Sequence, residues 1–180
     1  MDIFEEKSLL REEAKQIIED LDYDEMLESD EAIMQAVLAN RAYKDSTSLF
    51  IYVSMENEPD TLKLIREALN SGKEVYVPKC GKKPNMKAVR INALKDLRPG
   101  KFGIMEPESD EGYDGKIDAA VVPCLSAAMN GKRLGHGGGY YDHFLQGRDI
   151  YKLCLCRKKL LKNDLPTDEF DVIMDEILTD

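Results

Sequence analysis

Ile117-Asp118-Ala119-Ala120-Val121-Val122-Pro123-Cys124-Leu125 is followed, five residues later, by Gly131-Lys132-Arg133-Leu134-Gly135-His136-Gly137-Gly138-Gly139-Tyr140-Tyr141-Asp142-His143-Phe144-Leu145. The first run is apolar at almost every position, the pattern of a strand buried on both faces. The second carries five glycines, and from Tyr140 to Gln146 it reads as the first turns of a helix ending near Gly147. Strand, glycine bend and helix start, in that order, are where α/β proteins place phosphates. Glycine adopts φ > 0 without steric penalty, so such a bend can turn several backbone N–H groups toward one anion. The bend lacks the Lys-Ser/Thr ending of a Walker loop, and Tyr140 stands where a Rossmann fingerprint needs its third glycine. A flexible surface loop is the competing local reading. Arg133, able to grip a phosphate with two parallel hydrogen bonds, and Asp142, able to hold Mg²⁺ opposite it, favour the anion.

Working outward, Phe4–Leu21 has a helical stripe at Leu9, Leu10, Ala14, Ile17, Ile18 and Leu21, and Tyr23–Asn40 is a second amphipathic helix. Tyr43–Thr47 reads as a polar turn. Ser48–Ser54 is rich in β-branched and aromatic residues and predicts a central strand, followed by a helix at Thr61–Ser71 stopped by Gly72. Lys73–Lys79 predicts a short strand ended by Pro78, Met86–Ile91 an antiparallel or edge strand, and Asn92–Gly115 a long ordered loop. Tyr151–Cys156 is another buried strand, Lys158–Asn163 a connection, and Val172–Leu178 the last strand. The alternation implies an α/β fold: an open, mostly parallel Rossmann-like sheet with helices on both faces, in a single domain spanning residues 1–180.

At 180 residues, 43% hydrophobic and 33% charged, the chain has the composition of a globular protein with a sizeable core. Its formal charge of −10 argues against nucleic acid or an anionic membrane as partner. A bound nucleotide asks only for a few cations in one cleft. The N-terminus has neither a basic nor an apolar leader region and no apolar run is long enough to span a bilayer, which points to the cytoplasm. Cys80, Cys124, Cys154 and Cys156 form no Cys-x-x-Cys pair and read as reduced thiols in strands.

By pattern alone Lys7, Arg11 and Lys15, which recur every four residues, line one side of a helix and read as its solvated face. Glu58 lies on the loop after a strand, where open sheets bind ligands, or is a carboxylate favoured by the entry of a helix. By pattern Asp171 reads as a turn residue. His136 faces solvent or acts as an acid.

Arg133-Leu134-Gly135-x-Gly137-Gly138-Gly139-Tyr140-Tyr141-Asp142 resembles the signature of the 5-formyltetrahydrofolate cyclo-ligases, the 5,10-methenyltetrahydrofolate synthetases. Three further stretches agree: Lys7-x-x-x-Arg11, Ser54-Met55-x-x-Glu58-x-x-Thr61, and Pro166-x-x-Glu169-x-Asp171 with its Met-Asp-Glu-Ile-Leu-Thr end. A Phe102-Gly103-Ile104-x-Glu106-Pro107 run is similar as well, and implies a cover over the folate with Met105 as apolar wall.

The resemblance implies ATP- and Mg²⁺-dependent cyclisation of 5-formyltetrahydrofolate to 5,10-methenyltetrahydrofolate, giving ADP and phosphate. It places Lys7, Arg11, Arg133, Leu134, Gly135, His136, Gly137, Gly138, Gly139, Tyr140 and Tyr141 on the nucleotide. Val53, Met55, Glu58, His136 and Tyr140 fall on the folate, Arg133 and Tyr140 at the reaction, and Asp142 and Asp171 on the metal. The expected partner is the folate, with or without a polyglutamate tail, and the expected assembly a monomer or weak homodimer. The chain departs from the family at His136 and Gly138, where Arg or Lys is frequent, at Phe170, and at Ala127-Ala128. The competing functions are a nucleotide-binding accessory paralogue without turnover and an isomerase or transferase acting without ATP.

Overall fold

The computed structural model describes residues 2–100 and 103–180. Phe102, the first residue of the expected cover, lies outside them. The chain begins with three helices, α1 (Ile3–Glu19), α2 (Tyr23–Ala39) and α3 (Arg41–Asp45), and then alternates: β1 (Ser48–Ile51), α4 (Leu62–Asn70), β2 (Glu74–Cys80), β3 (Met86–Ile91). After a short hairpin of β4 (Leu97–Pro99) and β5 (Met105–Pro107) come β6 (Ala119–Pro123), β7 (Ser126–Ala128), β8 (Arg133–Leu134) and α5 (Tyr140–Leu145). The chain closes with β9 (Tyr151–Leu155), β10 (Leu161–Lys162) and β11 (Glu176–Leu178).

Six strands form one sheet in the order β11-β9-β6-β1-β2-β3. Every neighbouring pair is parallel except β2 with β3. The side chains of β1 and β6 are buried throughout, as strands covered on both faces must be. Phe50 points to one face, where Ala120, Val122, Cys154, Ala14 of α1 and Phe144 of α5 pack together. Its neighbours Leu49 and Ile51 point to the other, against Ile33 and Val37 of α2 and Leu64, Ile65 and Ala68 of α4. The expected architecture, a mostly parallel sheet with helices on both faces, is the one observed.

The differences are local and have causes. β2 continues through Pro78 to Cys80 because its pairing with β1 ends at Tyr76, so a missing N–H at Pro78 takes nothing from the β1 ladder. The supposed loop at Asn92–Gly115 contains the β4–β5 hairpin, and the polar turn after α2 is the one-turn helix α3. The final strand is shorter than the Val172–Leu178 run suggests, since the Val172 and Met174 amides are taken by the Asp142 carboxylate and by Gly131 O. A second small sheet, β10-β7-β8, stands at the carboxyl end of the main one.

The order places a switch point between β1 and β6: the chain leaves β1 toward β2 on one side, and leaves β6 toward β9 on the other. Loops diverge there at the carboxyl ends of parallel strands, opening a crevice suited to ligands.

Candidate active site at the switch point

The loop after β1 is fastened before it reaches the crevice. Thr61, fully buried, donates its hydroxyl to Tyr52 O at 2.6 Å and accepts from Ser54 N–H at 3.0 Å, while its own N–H donates to Ser54 Oγ at 3.1 Å. Tyr52 Oη donates to Pro59 O at 2.7 Å. Inside this knot Glu58 Oε2 accepts from Met55 N–H at 2.9 Å, and Oε1 lies 3.3 Å from His136 Nε2 on the glycine bend. Thus Glu58 and Met55 meet the bend across the crevice. Val53 instead packs within the core on the α2 and α4 face.

On the other bank Arg133 is 8% exposed. Its Nη1 donates to Pro123 O at 2.9 Å and its Nη2 to Asp142 Oδ2 at 3.0 Å, with the Tyr141 ring 5.6 Å beneath the guanidinium. Burial opposes the charge, but the Asp142 carboxylate more than offsets it and holds Arg133 above its ordinary range. Nε has no partner. Arg133 therefore ties the end of β6 to α5. Leu134, expected at the nucleotide, is in a small core cluster with Ala128 and Leu165, and its carbonyl accepts from Leu125 N–H.

Gly135 O accepts from Arg11 Nε at 2.9 Å, and a Cβ on Gly137 (φ +91°) would touch the same guanidinium. Gly139, at φ +70°, starts α5 with no side-chain cap. A Cβ on Gly138 would lie 2.7 Å from the Tyr140 ring. Tyr140 packs half-buried on the core and Tyr141 meets Phe50 edge-on at 6.4 Å. Burial, then the charge of Glu58, drive the Tyr141 phenol far up, so it stays a proton donor.

The two aspartates expected at the metal stand either side of Val172. Asp142 Oδ1 accepts Val172 N–H at 3.1 Å; Asp171 Oδ2 accepts Lys7 Nζ at 2.5 Å and Asp168 N–H at 2.7 Å. Lys7 also reaches Asp168 Oδ2 at 2.7 Å. Burial pulls the Lys7 ammonium down, but hydrogen bonds to both aspartates leave it above its ordinary value. The Lys7 hydrogen bond in turn holds Asp168 below its own. So Lys7 is no solvated cation: it is 6% exposed, whereas Leu9 of the expected apolar stripe is 56% exposed. Lys7 and Arg11 of the basic row turn inward, while Lys15 stays exposed at the cleft.

Between the banks lies a cleft of about 250 Å³ lined by Met55, Glu58, His136, Lys15, Cys124 and Arg157 among others. Sequence reasoning passed over Asp168, Cys124 and Arg157. The last two follow the ends of β6 and β9, so the rule that marked Glu58 would have marked them too.

The sequence profile of the 5-formyltetrahydrofolate cyclo-ligase family matches residues 3–180, nearly the full length. The chain belongs to the 5-formyltetrahydrofolate cyclo-ligase family. A Caenorhabditis elegans protein named probable 5-formyltetrahydrofolate cyclo-ligase is 30% identical over 192 aligned residues, covering 98% of this chain and 93% of that protein. The Saccharomyces cerevisiae 5-formyltetrahydrofolate cyclo-ligase is also 30% identical, with 96% and 94% covered. Among solved structures, the 5,10-methenyltetrahydrofolate synthetase of Aquifex aeolicus superposes with a TM-score of 0.84 at 28% identity, covering 96% of this chain and 88% of that one. A Mycoplasma pneumoniae synthetase at 20% identity, TM-score 0.75, shares the fold.

Within this cyclo-ligase family member the departures from the family pattern have definite places. His136 contacts Glu58. Ala127 and Ala128 are buried in β7, and Phe170 stands exposed beside Asp171. Among the described residues no helix is long and apolar enough to cross a membrane.

Proposed function

We propose that this chain, as one domain acting in the cytoplasm as a monomer or weak homodimer, uses ATP to close 5-formyltetrahydrofolate into 5,10-methenyltetrahydrofolate. The formyl amide oxygen is a poor leaving group. Transfer of the ATP γ-phosphoryl group onto it forms a P–O bond and releases ADP; N10 then attacks the formyl carbon and gives up its proton to solvent, and phosphate departs carrying that oxygen as the ring closes. No protein nucleophile is required. What the reaction asks of the protein is in-line placement and compensation of charge on the moving group, each worth roughly several kcal/mol of barrier.

One observation carries the reading. Arg11 grips the glycine bend through Gly135 O, and His136 on the same bend reaches Glu58 across the cleft, so a nucleotide bank and a folate bank share one crevice. Lys7, Arg11 and Arg133 neutralise phosphates, and the Gly135–Gly139 amides cradle them. Glu58, Met55, Tyr140 and His136 orient the pterin and formyl group. Val53 supports that bank from the core behind it.

The donor chemistry suits Mg²⁺, which takes hard oxygens and keeps several waters. Asp142 and Asp171 would hold it, on either side of Val172. Among the described residues no three of His, Cys, Asp and Glu group closely enough to hold a metal by themselves, so phosphate oxygens and water would complete the shell. When bound it would spread the charge of the transferring phosphoryl group. Lys7 and Arg133, each paired with one of these carboxylates, hold both aspartates in place.

The test is an absorbance assay for the methenyl product from 5-formyltetrahydrofolate with and without Mg-ATP. Product that depends on both is expected. Mg-ATP binding with no product would make the chain a nucleotide-binding accessory protein, and product without ATP would make it an isomerase or transferase.

A further inference from the structure

One buried charged group in the cleft has no part in that scheme. Arg157 lies two residues past the end of β9 and is 2% exposed. Its Nη1 donates to Met26 O of α2 at 3.2 Å; its Nη2 donates to Glu58 O at 3.3 Å and pairs with Asp30 Oδ1 of α2 at 2.7 Å. The guanidinium thus joins three elements, β9, α2 and the loop after β1, at the wall of the cleft that Glu58 and His136 also line.

As a stabilising device this pair is poorly designed. Burying two charges costs several kcal/mol each, and an apolar pair of similar volume often serves stability as well or better. Burial pushes the Asp30 carboxyl up even with Arg157 beside it. Nor does the residue sit in dense core: Arg157 also lines a second cavity of about 300 Å³ against α2. Its clearest effect is geometric. Glu58 is tied to Met55 through both its N–H and its carboxylate, bonds that close a turn without placing that turn against the rest of the molecule. Tyr52, through Pro59 O, anchors one side of it to the sheet. Arg157, through Glu58 O, anchors the residue itself to α2 and β9.

We propose that Arg157, braced by Asp30, is the positioning residue that sets the Glu58 carboxylate against the folate. The inference rests on the reading of Glu58 as the folate contact. It separates the two banks: Lys7, Arg11 and Arg133 make their contacts on β6, the glycine bend, α5 and the Asp168–Asp171 segment, and none of these bonds passes through Arg157. Loss of the brace is felt by the folate and spares ATP. Lysine in its place, a single ammonium on a flexible stem, cannot hold Asp30, Met26 O and Glu58 O together.

The experiment is a double-mutant cycle between Arg157→Met and Glu58→Gln, read by the methenyl assay with each substrate varied in turn. With Glu58 intact, Arg157→Met is expected to raise KM for 5-formyltetrahydrofolate about tenfold, the effect of misplacing one charged contact, and to leave KM for ATP within about twofold. In the Glu58→Gln background the same change should cost less than about twofold, because the carboxylate it positions is gone. Arg157→Lys should recover part of the loss, and Asp30→Asn should shift the folate KM in the same direction. Should Arg157→Met fail to fold, Arg157→Lys and Asp30→Asn complete the cycle. A full tenfold loss on top of Glu58→Gln, or an equal rise in both KM values, overturns the assignment while leaving the proposed reaction standing. A wild-type chain that forms no product overturns both.

Discussion

A single carboxylate at position 58 meets both banks of the cleft. Its Oε2 closes a turn on Met55 N–H and its Oε1 meets His136, so the carboxylate proposed to face the folate is already oriented. Glu58→Gln keeps the shape and removes the charge. The expected result is a fall in kcat/KM for the folate of about 30- to 100-fold, corresponding to the roughly 2–3 kcal/mol of a charged hydrogen bond, with the thermal midpoint almost unmoved. Unchanged kcat/KM would take Glu58 out of the folate site. Local pattern could not decide this residue, nor Lys7, whose partners Asp168 and Asp171 lie 161 and 164 positions away in the chain. Helical periodicity sorts residues by polarity, and a lysine buried against two aspartates looks the same to it as one in water. Only the resemblance between whole motifs separated the two readings, and where a residue had no motif, as at Arg157 and Asp168, both went unread.

Elements whose pattern is long survived the passage from sequence to structure, and those that are short did not. β6 is a continuous apolar run and β9 is interrupted only by Lys152, whereas β7, β8 and β10, of two or three residues each, show no period at all. Yet the turn between β7 and β8 fixes the segment beside the expected metal ligands. Gly131 sits there at φ +91°, its N–H donating to Ala128 O and its carbonyl accepting Met174 N–H at 2.8 Å. A Cβ would come within 2.4 Å of Met174 O, a backbone atom. Gly131→Ala should lower stability by about 2–4 kcal/mol in urea unfolding, combining left-handed strain with a backbone clash; a change under about 1 kcal/mol would show that the turn relaxes freely.

At the opposite end of the sheet Asp118 joins the starts of β6 and β1. Its Oδ2 accepts from Thr47 N–H at 2.8 Å, Thr47 Oγ1 at 2.9 Å and Ser48 N–H at 3.0 Å. Burial alone would raise this carboxyl, but the backbone hydrogen bonds from Ser48 and Thr47 outweigh it and hold it below 3.8. A carboxylate whose folded pKa is depressed contributes its stability above the unfolded value and loses it as pH falls through the folded one. The difference in urea midpoint between the wild type and Asp118→Ala is therefore expected to be constant at neutral pH and to shrink below pH 3.8. A difference that persists undiminished to pH 2 would mean that the neutral carboxyl does the same work.

On the scale of the whole molecule the switch point between β1 and β6 explains why residues from both ends of the chain share one crevice. The sheet order β11-β9-β6-β1-β2-β3 sets the two loops at the centre of the fold, and α1 brings Lys7 and Arg11 across to the glycine bend and the Asp168–Asp171 segment. That order was legible as a class, since buried runs alternating with amphipathic helices admit few arrangements. The register that sets Lys7 and Arg11 of α1 against distant partners was not, because it depends on contacts between segments far apart in the chain. Two banks with separate fastenings should bind their ligands separably. At about a hundredfold excess over Kd a ligand adds roughly 2.7 kcal/mol to folding stability, or on the order of 5–10 °C in thermal midpoint for a chain of this size. Mg-ATP and 5-formyltetrahydrofolate are each expected to raise the wild-type midpoint. Arg11→Met should abolish the shift with Mg-ATP and keep the shift with folate, and Glu58→Gln should do the reverse. If either substitution removed both shifts, the nucleotide and the folate would be held by one cooperative surface, and the division of the cleft into two banks would have to be abandoned.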